Sequence, residues 1–186
     1  MCLTNRDCVE TPDAAAPYEL LRADALIVSG AEKQGPVDRT LVAAQARALF
    51  DGERDAVANA ANLSALIFGS WPDLNWAGVY FVRGAELVLG PFQGKTACVR
   101  IAHGAGVCGT AWANDSTVVV ADVHAFPGHI ACDSASKSEI VVPIRSGGRV
   151  VGVLDIDSPS LARFGEPERA AFEQLAELYG SASDFA

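Results

Sequence analysis

The alternation of apolar and polar positions divides the chain into two helix-like stretches, a series of short strand-like runs, and a final helix. Asp38 to Phe50 places Leu41, Ala44, Ala48 and Leu49 at helical spacing, so a helix with that stripe inward is expected. Asp51-Gly52 breaks the pattern. Glu53 to Phe68 restores it with Ala56, Val57, Ala60, Leu63 and Ile67, giving an α-hairpin whose stripes serve the core or a subunit contact. After the turn at Ser70-Trp71-Pro72-Asp73 the period shortens. Asn75 to Val82 reads as a strand, Arg83-Gly84-Ala85 as a hairpin turn, and Glu86 to Leu89 as the returning strand, closed by Pro91 and Gly94. Cys98 to Ile101 and Val118 to Ala121 are further short strands, with a short helix entered at about Gly109 between them. Asp122 to Lys137 is a long polar loop, and loops of that length in compact domains usually carry function. Glu139 to Ile144 and Arg149 to Ile156 are two strong strands joined at Ser146-Gly147-Gly148, a hairpin signal. Pro167 suits a first helical turn, Phe172, Leu175, Leu178 and Tyr179 form a stripe, and Gly180 is expected to stop the helix.

The class is α+β: one central antiparallel sheet flanked by helices. Residues 1–36 stand apart as a partly disordered N-terminal extension, and residues 37–181 form the domain with the site. The extension holds Cys2 and Cys8, which read as incidental exposed thiols.

Composition narrows the function classes. Half of the 186 residues are hydrophobic, enough for a full core, and the net charge is −9. So acidic a chain lacks the clustered Lys and Arg that nucleic acid or an anionic membrane surface requires. The N-terminus has no basic start followed by a long apolar run, and no stretch of about 18 uncharged apolar residues occurs. A cytoplasmic location is therefore expected. There, five cysteines point to reduced or catalytic thiols rather than structural bridges.

Three cysteines lie in the C-terminal half at spacing C-x9-C-x23-C: Cys98, Cys108 and Cys132. A zinc site usually shows one close cysteine pair, so no metal is expected. GxxxxGK[ST] and G-x-S-x-G are both absent, which removes the P-loop and the serine-nucleophile readings. Cys132 sits in the polar loop between His129 and Asp133, a setting that suits a reactive thiol. Cys98 and Cys108 have apolar neighbours and read singly as small core residues; with Cys132 they could supply a resolving thiol. In LDIDS, Asp155 and Asp157 are two apart on a strand, hence on one face. Carboxylates inside an apolar strand must be solvated or paired, and Glu139 opens the adjacent strand. Three convergent acids would raise at least one pKa, which suits a proton donor or a site for a ligand ammonium.

These residues carry a resemblance. LNWAGVYF, GPFQGKTACVRI, GVCGTA, DVHAFPGHIACDSASKSEIVVPI, GVLDIDSP and RFGEPE resemble the free methionine-R-sulfoxide reductase family, single GAF-domain enzymes, from about Val37 to Leu178. The resemblance implies a GAF-like fold and free L-methionine-(R)-S-oxide as substrate. It implies Cys132 as nucleophile, Cys98 as the main resolving cysteine and Cys108 as the remaining one. It further implies that Glu139, Asp155 and Asp157 hold the amino group and polarise or protonate the sulfoxide oxygen, and that Trp76 walls the substrate methyl. Thioredoxin is the implied reductant and a homodimer the expected assembly, with no cofactor. The alternative is a GAF sensory module that binds a small ligand without chemistry.

Overall fold

The computed structural model describes residues 36–129 and 133–185. The extension with Cys2 and Cys8, and Cys132 itself, lie outside the described residues.

Two helices open the described chain. Helix α1 (Arg39–Phe50) is capped by Asp38, whose side chain accepts the Leu41 N–H. Helix α2 (Ala56–Ser70) is capped by Asp55, which accepts from the Val57 and Ala58 N–H groups at 2.8 Å. Both caps sit where an aspartate ends a polar break, so the sequence itself sets the two starting points.

Six strands follow: β1 (Trp76–Arg83), β2 (Glu86–Gly94), β3 (Arg100–Ala102), β4 (Val118–Val120), β5 (Ser138–Ser146) and β6 (Arg149–Ser158). Helix α3 (Gly106–Asn114) lies between β3 and β4, and α4 (Glu166–Ala182) closes the domain. The strands form one antiparallel sheet in the order β3-β2-β1-β6-β5-β4. The expected α+β class, with a central antiparallel sheet flanked by helices, is what the chain adopts.

The two faces differ in cover. Ala77, Val79, Phe81, Ile140, Val142, Ile144, Leu154 and Ile156 point to the face covered by α2 and α4, with α1 packed on those two helices. Trp71 packs on Phe172 there, ring centroids 4.7 Å apart, at the centre of the larger core. Residues one position along, including Trp76, Tyr80, Val141 and Val153, point to the opposite face with α3. That second core is smaller, and its interruption by acids makes the cleft.

Six expectations are corrected. In α1 the buried stripe is Val42, Ala46 and Phe50, while Leu41 is 54% exposed and Ala44 and Ala48 are also exposed. In an alanine-rich helix two stripes compete, and the one that buries Phe50 removes more apolar surface from water. In α2, Ala60, Leu63 and Ile67 are buried as expected, but Val57 is exposed. Strand β2 runs past Leu89 to Gly94 because a bulge, where Gly90 and Pro91 oppose Val79 alone, takes up the proline. Strand β3 begins at Arg100 rather than Cys98, and α3 begins at Gly106 rather than about Gly109. Gly180 does not stop α4; it is buried inside the helix, where a Cβ would strike the Arg145 carbonyl oxygen. The glycine is there for close helix–sheet packing.

Candidate functional site

Cross-strand register assembles the site. Asp157 on β6 is directly opposite Trp76 on β1 and Glu139 on β5. One row further along the sheet, Asp155 lies between Gly78 and Val141. Strand alternation puts Trp76, Glu139, Asp155 and Asp157 on the face with α3. They line a cleft of about 530 Å³, open mouth included, together with Tyr80, Cys108, His129, Asp133 and Ser136.

The aromatic side of the cleft is rigid. The Trp76 ring stacks on Phe92 at 5.4 Å and on Tyr80 at 5.9 Å between centroids, and its Nε1–H donates to the Lys95 carbonyl at 3.1 Å. The ring lies across Gly78, where any Cβ would collide with it. Tyr80 donates its hydroxyl to the Cys98 carbonyl at 3.0 Å, tying β1 to the segment after β2.

The acidic side is where the charge is concentrated. Cys108 Sγ is 3.9 Å from Glu139 Oε1, and the donor atoms of Cys108, Glu139 and Asp155 all lie within 4.8 Å of one another. All three residues are buried. Among the described residues this trio is the group whose spacing could hold a metal ion. One oxygen of Asp155, Oδ1, is buried without a hydrogen-bond partner, on a residue that lines the cleft.

Burial and mutual repulsion set the protonation states. Burial pushes the Asp155 carboxyl up to about 6, although Cys108 and Glu139 donate to its charged form. Glu139 is held well above the ordinary carboxylate range by burial, then by the charges of Asp155 and Asp157. Asp157 is raised well above it by burial, then by Asp155 and Asp133. Cys108 sits in the first turn of α3, where the helix dipole favours a thiolate. Burial and the charges of Asp155 and Glu139 outweigh that effect and raise the thiol well above its usual value. So each acid of the cluster holds its proton to higher pH than an ordinary carboxyl, and Cys108 is a protonated thiol.

Two groups on the rim behave differently. His129 is lowered by burial, then by the charge of His124, so its imidazole is neutral; its Nε2 is 3.9 Å from Glu139 Oε2, beyond hydrogen-bonding distance. Asp133 is held below the ordinary range by the Ala135 N–H, then by Asn75 and Lys95.

Of the residues singled out in the sequence, Trp76, Cys108, Glu139, Asp155 and Asp157 meet in one cleft. Cys98 does not line it; the side chain packs, partly buried, against the smaller core, while its neighbours Thr96 and Ala97 line the cleft. Cys132 is outside the described residues, but His129 and Asp133 on either side of that segment line the cleft. Tyr80, Asp133 and Ser136 were not singled out as site residues. Only Tyr80 carried a signal, four positions from Trp76 and so on its face of the strand.

Comparison with known proteins places this geometry. A family model described as GAF domain matches residues 38–184. Protein YtsP of Bacillus subtilis is 56% identical over 75% of this chain and 87% of its own. The free methionine-R-sulfoxide reductase of Escherichia coli is 52% identical over 69% of this chain and 78% of its own. The X-ray structure of free methionine-R-sulfoxide reductase from Neisseria meningitidis in complex with its substrate superposes with a TM-score of 0.74 at 48% identity. That match covers 76% of this chain and 86% of the Neisseria chain.

Proposed function

The chain belongs to the GAF-domain family of free methionine-R-sulfoxide reductases, and from that membership we propose that it reduces free L-methionine-(R)-S-oxide to L-methionine with cysteine thiols. The observation that carries the reading is the convergence of Cys108, Glu139 and Asp155 around an unpartnered Asp155 oxygen beside the Trp76 wall. A free amino acid brings an ammonium, which a buried carboxylate acceptor suits. Its sulfoxide oxygen leaves only when protonated, and a carboxyl whose proton burial holds more tightly than usual supplies that proton. The flat aromatic wall suits the S-methyl group.

The reaction runs in three balanced steps. The Cys132 sulfur attacks the sulfoxide sulfur; the S–O bond breaks, the protonated oxygen passes to Cys132 as a sulfenic acid, and methionine leaves. A second thiol, Cys98, attacks that sulfenic sulfur, forming a disulfide and releasing water. Thioredoxin, as a dithiol, then reduces the disulfide by exchange. Cys108 is the remaining thiol of the set. Its raised pKa leaves it a proton-holding neighbour of the acids until a partner thiol requires it. No cofactor enters these steps.

The chemistry is that of the cytoplasm, where thioredoxin keeps thiols reduced. No helix among the described residues is long and apolar enough to cross a membrane. The assembly is a homodimer, a reading supported by Leu41 and Val57, large apolar residues left exposed on α1 and α2.

Thioredoxin-coupled NADPH oxidation tests the reading. Free methionine R-sulfoxide, its S epimer and a peptide-linked sulfoxide are compared on the wild type and Cys132→Ser. Turnover of the free R epimer alone, abolished in Cys132→Ser, is expected. Binding without turnover, even with dithiothreitol as reductant, overturns it in favour of a ligand-binding sensor module.

A further inference from the structure

One partly buried carboxamide ties together the parts of the cleft that strand register does not hold. Asn75 precedes β1 and is partly buried. Its Nδ2 donates to Ser136 Oγ at 2.8 Å and to Asp133 Oδ2 at 3.2 Å. Its backbone N–H donates to the Asp157 carbonyl at 3.1 Å. Asp133 and Ser136 form one turn, closed by the Ser136 N–H to the Asp133 carbonyl at 3.2 Å and by the Ala135 N–H to Asp133 Oδ1 at 2.9 Å. Lys95 Nζ holds the other side of the Asp133 carboxylate at 3.2 Å. Ser136 lies beside the Asp157 carboxyl and favours its charged form. Asp133 is bonded directly to Cys132 in the chain.

We propose that Asn75 is a positioning residue for the reaction. Its carboxamide pins the Asp133–Ser136 turn, and with it the chain end bonded to Cys132, to the strand that carries Trp76 and to the Asp157 edge of the acidic wall. The register of β1, β5 and β6 fixes Trp76, Glu139, Asp155 and Asp157 to one another without help. The 133–136 turn belongs to no strand; backbone bonds fix its far end at Lys137, whose N–H donates to the Ser158 carbonyl at 2.8 Å, so the place of its Asp133 end rests on side-chain bonds. Of these, the two from Asn75 are less exposed than the one from Lys95, whose side chain is 69% exposed. A hydrogen bond to a charged acceptor lost from such a site costs more than a solvated ion pair. The inference rests on the reductase reading above, since it needs Cys132 to act on a substrate in this cleft.

The test uses the full chain and four proteins: wild type, Asn75→Ala, Asn75→Asp, and the double variant Asn75→Ala with Ser136→Ala. Asn75→Asp keeps the shape and removes the donor. Both single variants are expected to lower kcat for free methionine R-sulfoxide about tenfold or more while KM stays within about threefold. The double variant is expected to fall no more than about twofold below Asn75→Ala, since both groups act through one turn. Hydrogen exchange of the Ala135, Ser136 and Lys137 amides should quicken in each variant. Faster exchange with kcat near wild type, or a double variant that falls well beyond twofold below Asn75→Ala, overturns the inference while leaving the reductase reading intact. An inactive wild type overturns the reading and this inference with it.

Discussion

The Cys108 sulfur lies 3.9 Å from a Glu139 carboxylate oxygen, both groups buried, with Asp155 completing the cluster. A thiol and two acids this close cannot all ionise. The cluster therefore gives up its protons at higher pH than ordinary carboxyls do, and measurable consequences follow from it and from the packing around it.

The first concerns Cys108 itself. Its raised pKa comes from burial, then from Asp155 and Glu139. Alkylation by iodoacetamide, followed on the Cys108 peptide by mass spectrometry, should be slow in the wild type. In Glu139→Gln, at pH about 8.5, it should quicken about threefold or more as thiolate becomes accessible. An unchanged rate would mean that access, and not charge, limits the thiol.

The second concerns pH and stability. Asp155 rises from 3.8 in the unfolded chain to about 6 in the fold. A raised carboxyl binds its proton more tightly when folded. Its stabilisation is complete below the unfolded value and is lost as pH rises through the folded one, a difference on the order of 3 kcal/mol. Glu139 and Asp157 are raised in the same direction and extend the loss to higher pH. Thermal unfolding from about pH 4 to about pH 8 should show melting temperature falling in the wild type and a flatter profile in Asp155→Asn. Parallel profiles would argue that Asp155 is not the group.

The third concerns the aromatic wall. Trp76→Ala is expected to raise KM for the free sulfoxide about tenfold, with a smaller effect on kcat, because in the proposed role the ring would contact ground state and transition state alike. Trp76→Phe should fall between, keeping the stack on Phe92 and losing the bond to the Lys95 carbonyl. Steady-state kinetics on the R epimer decide it; a loss confined to kcat would place the ring elsewhere in the mechanism.

The fourth concerns the fold. Alanine ordinarily stabilises a helix interior relative to glycine by about 1 kcal/mol. At Gly180 the added methyl meets the Arg145 carbonyl oxygen, a backbone atom that cannot swing aside. Gly180→Ala should therefore destabilise, by about 1–3 kcal/mol in urea unfolding. A gain in stability would show that α4 can lift off β5 at no cost.

Local rules in the chain determined the element starts, turns and strand periods. The aspartate caps at 38 and 55, the Gly147-Gly148 hairpin and the period-two runs of β1, β5 and β6 are set by neighbouring residues, and all three strands form where the pattern puts them. The same period placed Asp155 and Asp157 on one face before any partner strand was known. Motif resemblance identified the family and named the acids and Trp76. Tertiary structure decided what depends on neighbours distant in sequence. It chose the Val42–Phe50 stripe of α1 over its rival, absorbed Pro91 in a bulge, and packed Gly180 inside α4 rather than at its end. It also set Asp157 opposite both Trp76 and Glu139, brought Cys108 to Glu139 from a separate helix, and recruited Asn75 to hold Asp133 and Ser136 about 60 positions away. Contacts of that range follow from strand register and core packing across the whole sheet, which no local window of the sequence contains.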